Sequence, residues 1–410
     1  MHCIDSGEGK MTDTQALSPA PTAADPFIGQ ILDGDGHMYM HADVLREVAG
    51  SLDGGMMVKF IDEHSRSEAF ADNRARNRAE LWNVKGIGAL GAYDAAERIE
   101  ALDAMGVRGQ LVFYNTASGE LRIDSPAARD ACRRYNDYGL DWTRRTGGRA
   151  RVAMQINMTD IAWAKAELAR VLKAGAKLVT LPSATPPGGV SPAHEDWDPF
   201  WAMLEEADVP ATLHLGSGGL VTSKSPEMLA RDRDPMMPDR GWGKAASLKG
   251  APTNRPGGEE AISPYFILVA HLSAETFLTT MIMGSVFDRF PRLRFGIIEL
   301  GAHWVGPAVE RMDIWAEFMG KVGRKYDLRP SEYVSRNVRV TPFWNENLPL
   351  MIERYGLEDA YIFYIFSTDC PHFEGSRDPY GKFSKWMNQL PPDYARKFFI
   401  DNAKLLFPDL

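Results

Sequence analysis

The stretch DIAWAKAELARVLKAGAKLVTLP, residues 160–182, contains one complete structural unit. Ile161, Ala164, Leu168 and Val171 recur at intervals of three and four, so Asp160–Ala174 reads as a helix with one apolar face. Asp160 sits where an N-cap is expected, and Gly175 follows where a positive φ relieves the last turn. Lys177–Pro182 is then a short apolar strand. The next stretch, DWDPFWAMLEEADVPATLHLG (196–216), repeats the pattern with a helix over Trp197–Ala207 and a strand over Pro210–Leu215.

Working outward, the same alternation predicts strands at Ile31–Asp35, Gln110–Asn115, Arg149–Ile156, Lys177–Pro182, Pro210–Leu215, Arg294–Glu299, Val338–Pro342 and Tyr361–Thr368. Helical patterns lie between them at Ala95–Ala104, Ala127–Thr146, Asp160–Ala174, Trp197–Ala207, Glu275–Phe290, His303–Met319 and Leu348–Tyr355, with a closing helix at Asp393–Leu406. Gly356 is a second expected helix stop. Strand and helix in regular alternation imply parallel pairing, and eight units imply an α/β fold closed as a single (β/α)₈ TIM barrel. Its chemistry belongs on the loops after the C-terminal ends of the strands. Length alone, at about 150 residues per domain, suggests two or three domains. The alternation instead makes 29–410 one barrel, enlarged by insertions after strands one (38–90) and five (217–263, an expected active-site lid). Residues 1–28 read as a disordered tail without the apolar core of a secretion signal.

Composition excludes several classes. The 410 residues carry a net charge of −9 with no dense Lys/Arg block, which argues against a nucleic-acid surface. No apolar run is long enough to span a membrane. Three cysteines cannot make a disulfide framework, and a reducing, cytoplasmic setting is expected.

The strand ends carry the candidate chemistry. Strand one ends in Asp33-Gly34-Asp35-Gly36-His37, strand five in His214, strand six in Glu299 and strand eight in Asp369. A period of two places Asp35 and His37 on one face. Together with His214 and Asp369 they suit one divalent ion, with Zn²⁺ the first expectation and Mn²⁺ the second. Each residue alone has a plainer reading, as a hydrogen-bonded core histidine or an aspartate capping a helix. The joint pattern is harder to obtain by accident.

The stretches DGDGHMY (33–39), 196–216, GSVFDRFPRLRFGIIELGAHWVGPAVERMD (284–313) and FSTDCPHFEG (366–375) resemble the amidohydrolase superfamily. The similarity is to the branch that includes aminocarboxymuconate-semialdehyde decarboxylase and γ-resorcylate decarboxylase. The resemblance implies that Asp35-Gly36-His37 corresponds to the strand-one ligand pair, His214 to the strand-five ligand and Asp369 to the strand-eight aspartate. It also implies a homodimer or larger homo-oligomer acting on a small molecule. Decarboxylases of this branch end strand six in a proton-transferring His, whereas this chain has Glu299. His303 or His271 could supply the missing imidazole, or serve only in packing. His372 and Glu374 are expected to support Asp369 or the substrate, or merely to cap the turn.

Tyr114, Asn115, Phe343, Trp344 and Asn345 are expected around a planar substrate, with ordinary rim packing as the plainer account of the aromatics. Lys224, Arg231, Arg233, Arg240 and Arg255 could clamp a carboxylate, although their acidic neighbours favour a solvated mixed-charge loop. Gly86-x-Gly88-x-x-Gly91 has dinucleotide-fingerprint spacing but lacks a strand before it. The Glu-for-His departure makes hydrolysis by a metal-activated water, with Asp369 or Glu299 as base, the first expectation. Decarboxylation of an aromatic or dienoic acid is the alternative. A metal-free binding barrel is the third, and all four ligand-type residues argue against it.

Overall fold

The computed structural model describes residues 26–52, 55–115, 120–183, 187–216, 268–355 and 363–410. The expected tail, the lid at 217–263 with its Lys and Arg residues, and Gly356 lie outside them, save for 26–28. Among the described residues no helix is long and apolar enough to cross a membrane.

All strand pairs among the described residues are parallel. The first strand runs through Ile31–Asp33 and resumes at His37–Met38, both halves lying against the second, Val107–Tyr114. The third is likewise split: Ala150–Val152 pairs with the second strand and Met154–Gln155 with the fourth, Val179–Thr180. The fifth (Ala211–His214), sixth (Phe295–Ile298) and seventh (Val338–Val340) follow in order. The expected eighth strand is not a regular strand in its described part. It makes isolated bridges, Val340↔Tyr364 on one side and Gly36↔Cys370 on the other. Ile365 N–H donates to Val340 O at 3.0 Å and Gly34 N–H to Phe366 O at 2.8 Å, so this segment spans seventh and first strands and closes the ring.

Alternation sorts the side chains. Leu32, Leu111, Phe113, Ala153, Leu178, Ile298 and Ile365 form one buried cluster with Ala403, Leu406 and Phe407. Val112, Tyr114, Val179, Leu213 and Ile297 belong to the larger cluster shared with the helices. Period two therefore assigns odd residues of the second strand to the barrel interior. A Cβ on Gly109 or Gly296 would meet Leu410, Phe407 or Leu406, so the C-terminal segment plugs the end where the strands begin. That leaves the opposite mouth for chemistry.

Several helices match their expected spans closely, including Ala95–Met105, Pro126–Arg145, Ile161–Lys173 and Asp198–Ala207. Asp160 Oδ1 accepts from Trp163 N–H at 3.0 Å, and Gly175 has φ +91. Two differ. The expected Glu275–Phe290 helix is two, Leu272–Met283 and Val286–Arg289, because Ser285 takes φ +58 and a helix cannot run through it. The closing segment is a short α-turn, a π-turn over Lys397–Asp401 and a 3₁₀ turn. The insertion after strand one supplies helices Ala42–Ala49, Gly55–His64 and Glu68–Arg76. Gly86–Gly88 forms a 3₁₀ turn whose Gly86 N–H donates to Pro371 O. No strand precedes it, consistent with setting the dinucleotide reading aside.

Candidate metal centre

The break in the first strand aims its side chains. Asp33 pairs with Gln110 and His37 with Phe113, so four steps on one strand oppose three on the other. This bulge spans Gly34 to Gly36, and bulges re-aim side chains beside active sites. Only glycine fits there: a Cβ on Gly36 would strike the Gln110 amide, and one on Gly34 would lie 2.7 Å from Ile365 Cδ1. Glu299 and Asp369 end the sixth strand and the eighth segment at φ +57 and +53. Such left-handed backbone is uncommon for non-glycine residues and is concentrated at functional sites.

These devices bring six side chains together. His37 Nε2 lies 3.2 Å from Asp369 Oδ1, 3.4 Å from Asp35 Oδ1 and 3.6 Å from Glu299 Oε2. His214 Nε2 lies 3.1 Å from Glu299 Oε2 and 3.4 Å from Asp35 Oδ1. His372 Nδ1 lies 3.1 Å from Asp369 Oδ1, 3.7 Å from Glu299 Oε1 and 3.9 Å from Glu374 Oε1. The rings of His37 and His372 stack at 3.5 Å. Two overlapping quartets could each hold an ion, Asp35–His37–His214–Glu299 and His37–Glu299–Asp369–His372, with ligand atoms within 4.8 Å of one another. Glu299 thus stands among the ligand-type groups themselves, as does His372. The sequence alone suggests a base for the first and a supporting role for the second.

The donor set fits a divalent cation. Both ring nitrogens of His37 and Asp369 Oδ1 are buried without a hydrogen-bond partner, a costly state that a metal ligand escapes. Three buried carboxylates converge, and among the described residues the positive charge in direct contact with them can come only from imidazoles. Burial opposes ionisation of Asp35, but the His214 and His37 imidazoles beside it hold its carboxyl well below the usual range. Burial and the His372 charge push His37 down, yet Asp35, Asp369 and Glu299 outweigh them and hold it well above its ordinary value. A ligating imidazole must be neutral, so metal uptake has to displace this proton. Binding of Mn²⁺ to the stripped protein near neutral pH is therefore expected to release at least one proton and to strengthen as pH rises. Calorimetric titration in two buffers of different ionisation enthalpy measures this, and identical heats in both would contradict it.

A support network lies under the centre, and the sequence reading does not contain it. Asp33 Oδ1 accepts from Thr368 N–H (2.9 Å) and Asp35 N–H (3.1 Å), and Oδ2 from Thr368 Oγ1 (2.7 Å) and Gln110 Nε2 (2.8 Å). Arg98, fully buried, donates Nη1 to Gln110 Oε1 at 2.7 Å, Nε to Gly91 O at 2.9 Å and Nη2 to the carbonyl of His37. Burial pushes Asp33 up to about 7 against its hydrogen bonds. In the sequence Asp33 stands out only as part of the strand-one motif. Gln110 and Arg98, on another strand and a helix, carry no local signal.

The remaining candidates divide. Phe343 and Trp344 line a small cleft with Asp35, Glu299, Asp369 and Glu374. Trp344 Nε1 donates to Glu374 O at 2.9 Å, and Asn345 beside it is exposed. Tyr114 turns away, donating its hydroxyl to Tyr135 O at 2.5 Å. Phe113 faces the centre instead, 4.0 Å from the His214 ring. Parity could have shown this, because His37 is in register with Phe113. Asn115 follows that strand with its amide nitrogen buried and without a hydrogen-bond partner. His303 pairs with Glu346 at 2.9 Å and His271 packs on His303 and Trp304. Neither makes a direct contact with Asp35, Glu299 or Asp369.

The barrel agrees with solved structures. An amidohydrolase from Mycobacterium avium subsp. paratuberculosis K-10 aligns with TM-score 0.63 at 20% identity, over 92% of this chain and 99% of its own. A 2,6-dihydroxybenzoate decarboxylase from Rhizobium aligns at 0.59 and 17%, over 92% and 98%. A 5-carboxyvanillate decarboxylase from Novosphingobium aromaticivorans DSM 12444, solved with manganese and 4-hydroxy-3-methoxy-5-nitrobenzoic acid, aligns at 0.57 and 18%, over 92% and 96%. At such identities the likeness establishes the fold. No curated protein sequence matches the chain. The amidohydrolase family model, however, matches residues 109–408. Nearly three quarters of the sequence thus follows that pattern, so the chain belongs to the amidohydrolase family, as a metal-dependent enzyme on a (β/α)₈ barrel.

Proposed function

We propose that this enzyme is a non-oxidative carboxy-lyase acting on an aromatic acid. The observation that carries the proposal is that Phe343 and Trp344 line the same small cleft as Asp35, Glu299 and Asp369. Aromatic side chains beside the carboxylates suit a planar ring. Structural relatives named for 2,6-dihydroxybenzoate and 5-carboxyvanillate decarboxylation support the same reading.

Asp35, His37, His214 and Glu299 would hold the ion, and the two carboxylates among these four ligands suit Mn²⁺ as well as Zn²⁺. When bound, the ion supplies a Lewis acid that neutralises and orients the substrate carboxylate. Asp369 delivers a proton to the ring carbon that bears the carboxylate. The C–C bond then breaks, its electron pair restores the aromatic ring, and CO₂ departs. His372, 3.1 Å from Asp369, returns the proton, and Glu374 steadies His372. Burial raises Asp369, but His372 and His37 hold it below the usual carboxylate range, so its proton must be resupplied on each turnover.

Hydrolysis is the second reading, favoured by Glu299, a buried carboxylate 3.1 Å from His214 that could act as a base. Incubation of the Mn²⁺-loaded enzyme with hydroxylated benzoates and dienoic acids in H₂¹⁸O separates the two. The lyase reading expects CO₂ and a decarboxylated ring without ¹⁸O. Label in an organic product without CO₂ would establish the hydrolase in its place.

A further inference from the structure

One carboxylate ties the loop after the sixth strand to the loop after the seventh. Glu346 lies in the turn between the seventh strand and the helix Leu348–Tyr355, with its side chain 10% exposed. Its Oε1 accepts from His303 N–H and from His303 Nδ1, each at 2.9 Å. Its Oε2 accepts from Phe343 N–H at 2.7 Å, and Ala302 N–H reaches both oxygens, at 2.9 and 3.1 Å. Among the described residues no Lys or Arg pairs with it, so three backbone donors and one imidazole carry its charge. The same hydrogen bond holds the His303 imidazole above its ordinary value.

Both loops bear on the cleft. Ala302 and His303 follow Glu299 by three and four residues, and Phe343 lines the cleft beside Glu299 and Asp35. The Phe343 ring packs on Gly301, which has φ +65 and where a Cβ would come 3.0 Å from Phe343 Cε2 and 3.2 Å from Glu346 Oε1. Glu299 has a separate support, because its N–H donates to Thr341 Oγ1 at 2.8 Å. The aromatic wall and the ligand-type carboxylate are thus held by different residues.

Resting on the reading of the cleft as a site for aromatic acids, we propose that Glu346 is a positioning residue: its clasp on the two loops sets the Phe343 ring where the substrate ring binds. Glu346→Gln keeps the shape, but its NH₂ must face either the Phe343 and Ala302 donors or those of His303, so one loop is released. Calorimetric titration of the Mn²⁺-loaded enzyme with 2-nitrophenol and 2-nitroresorcinol tests this, since a nitro group cannot leave as CO₂. Binding should weaken about 10- to 100-fold in Glu346→Gln, with Mn²⁺ affinity kept within about threefold. Glu346→Asp retains the charge but is too short to span both loops, so it should show the same loss, and it carries the test if the first variant does not fold. In a Phe343→Ala background, Glu346→Gln should cost less than about twofold more, an outcome that a role in fold stability alone would not produce. Undiminished binding by both Glu346 variants overturns the proposal alone, as does an equal loss in both backgrounds or a loss of Mn²⁺ affinity as large as that of the nitrophenols. A wild-type enzyme that binds neither nitrophenol removes the aromatic-acid reading, and this inference with it.

Discussion

Replacing Asp369 by Asn is expected to lower kcat/KM by at least about 10³-fold, equivalent to roughly 4 kcal/mol of transition-state stabilisation. The substitution keeps shape and changes chemistry. Asn tolerates the left-handed backbone that Asp369 occupies at φ +53, so the turn should survive. Its amide can neither carry a proton to a ring carbon nor accept one from His372, 3.1 Å away. Saturating Mn²⁺ should not restore the rate. Glu299→Gln makes the informative contrast. If Glu299 serves as a ligand, its loss weakens metal binding, and excess Mn²⁺ recovers much of kcat. If it is the base of a hydrolase, no metal concentration recovers it. Steady-state kinetics across a metal titration read both variants, and an Asp369→Asn loss below tenfold would remove Asp369 from the proton path.

The parts of this centre legible in the sequence are those whose function is local. Asp35 and His37 share a motif, and His214, Glu299 and Asp369 each end a strand, so parity and strand order suffice to gather them. Order along the chain does not state depth. Glu299 and Asp369 reach inward because their backbones turn left-handed, and a sequence pattern does not show φ. The aromatic Tyr114 draws attention as a strand-end residue, but its neighbour Phe113 shares the register of His37 and so faces the axis. His303 is a reasonable stand-in for an absent imidazole on sequence grounds, yet Glu346 holds it through Nδ1 and its backbone N–H. The eighth strand is the weakest in regularity because its polar groups serve the first strand's turn. Asp369 N–H reaches Asp35 O and His37 N–H reaches Cys370 O, in place of a long ladder.

The second large effect is expected beneath the metal ligands. Arg98 cannot accept a hydrogen bond, so its donation to Gln110 Oε1 fixes the Gln110 amide with Nε2 towards Asp33. Asp33 must therefore present an acceptor at Oδ2. It must also present one at Oδ1, where two backbone N–H groups arrive. The two carboxylate oxygens of Asp33 meet both demands, and Oδ2 also accepts from Thr368 Oγ1. An asparagine side chain in its place cannot, because the NH₂ faces either Gln110 Nε2 or the backbone donors. Asp33→Asn should destabilise the fold by about 2–4 kcal/mol and weaken Mn²⁺ binding about 10- to 100-fold through the displaced Asp35 and His37. Arg98→Met should cost about 3–5 kcal/mol, since it strands three buried acceptors, one of them the carbonyl of His37. Without Arg98 the Gln110 amide is free to turn over and accept from the introduced NH₂. The double variant should therefore be less damaged than the two single losses combined, by roughly 0.5–3 kcal/mol. Urea unfolding of the four proteins measures that coupling. Losses that add to within about 0.5 kcal/mol would mean that Arg98 does not set the polarity of the network.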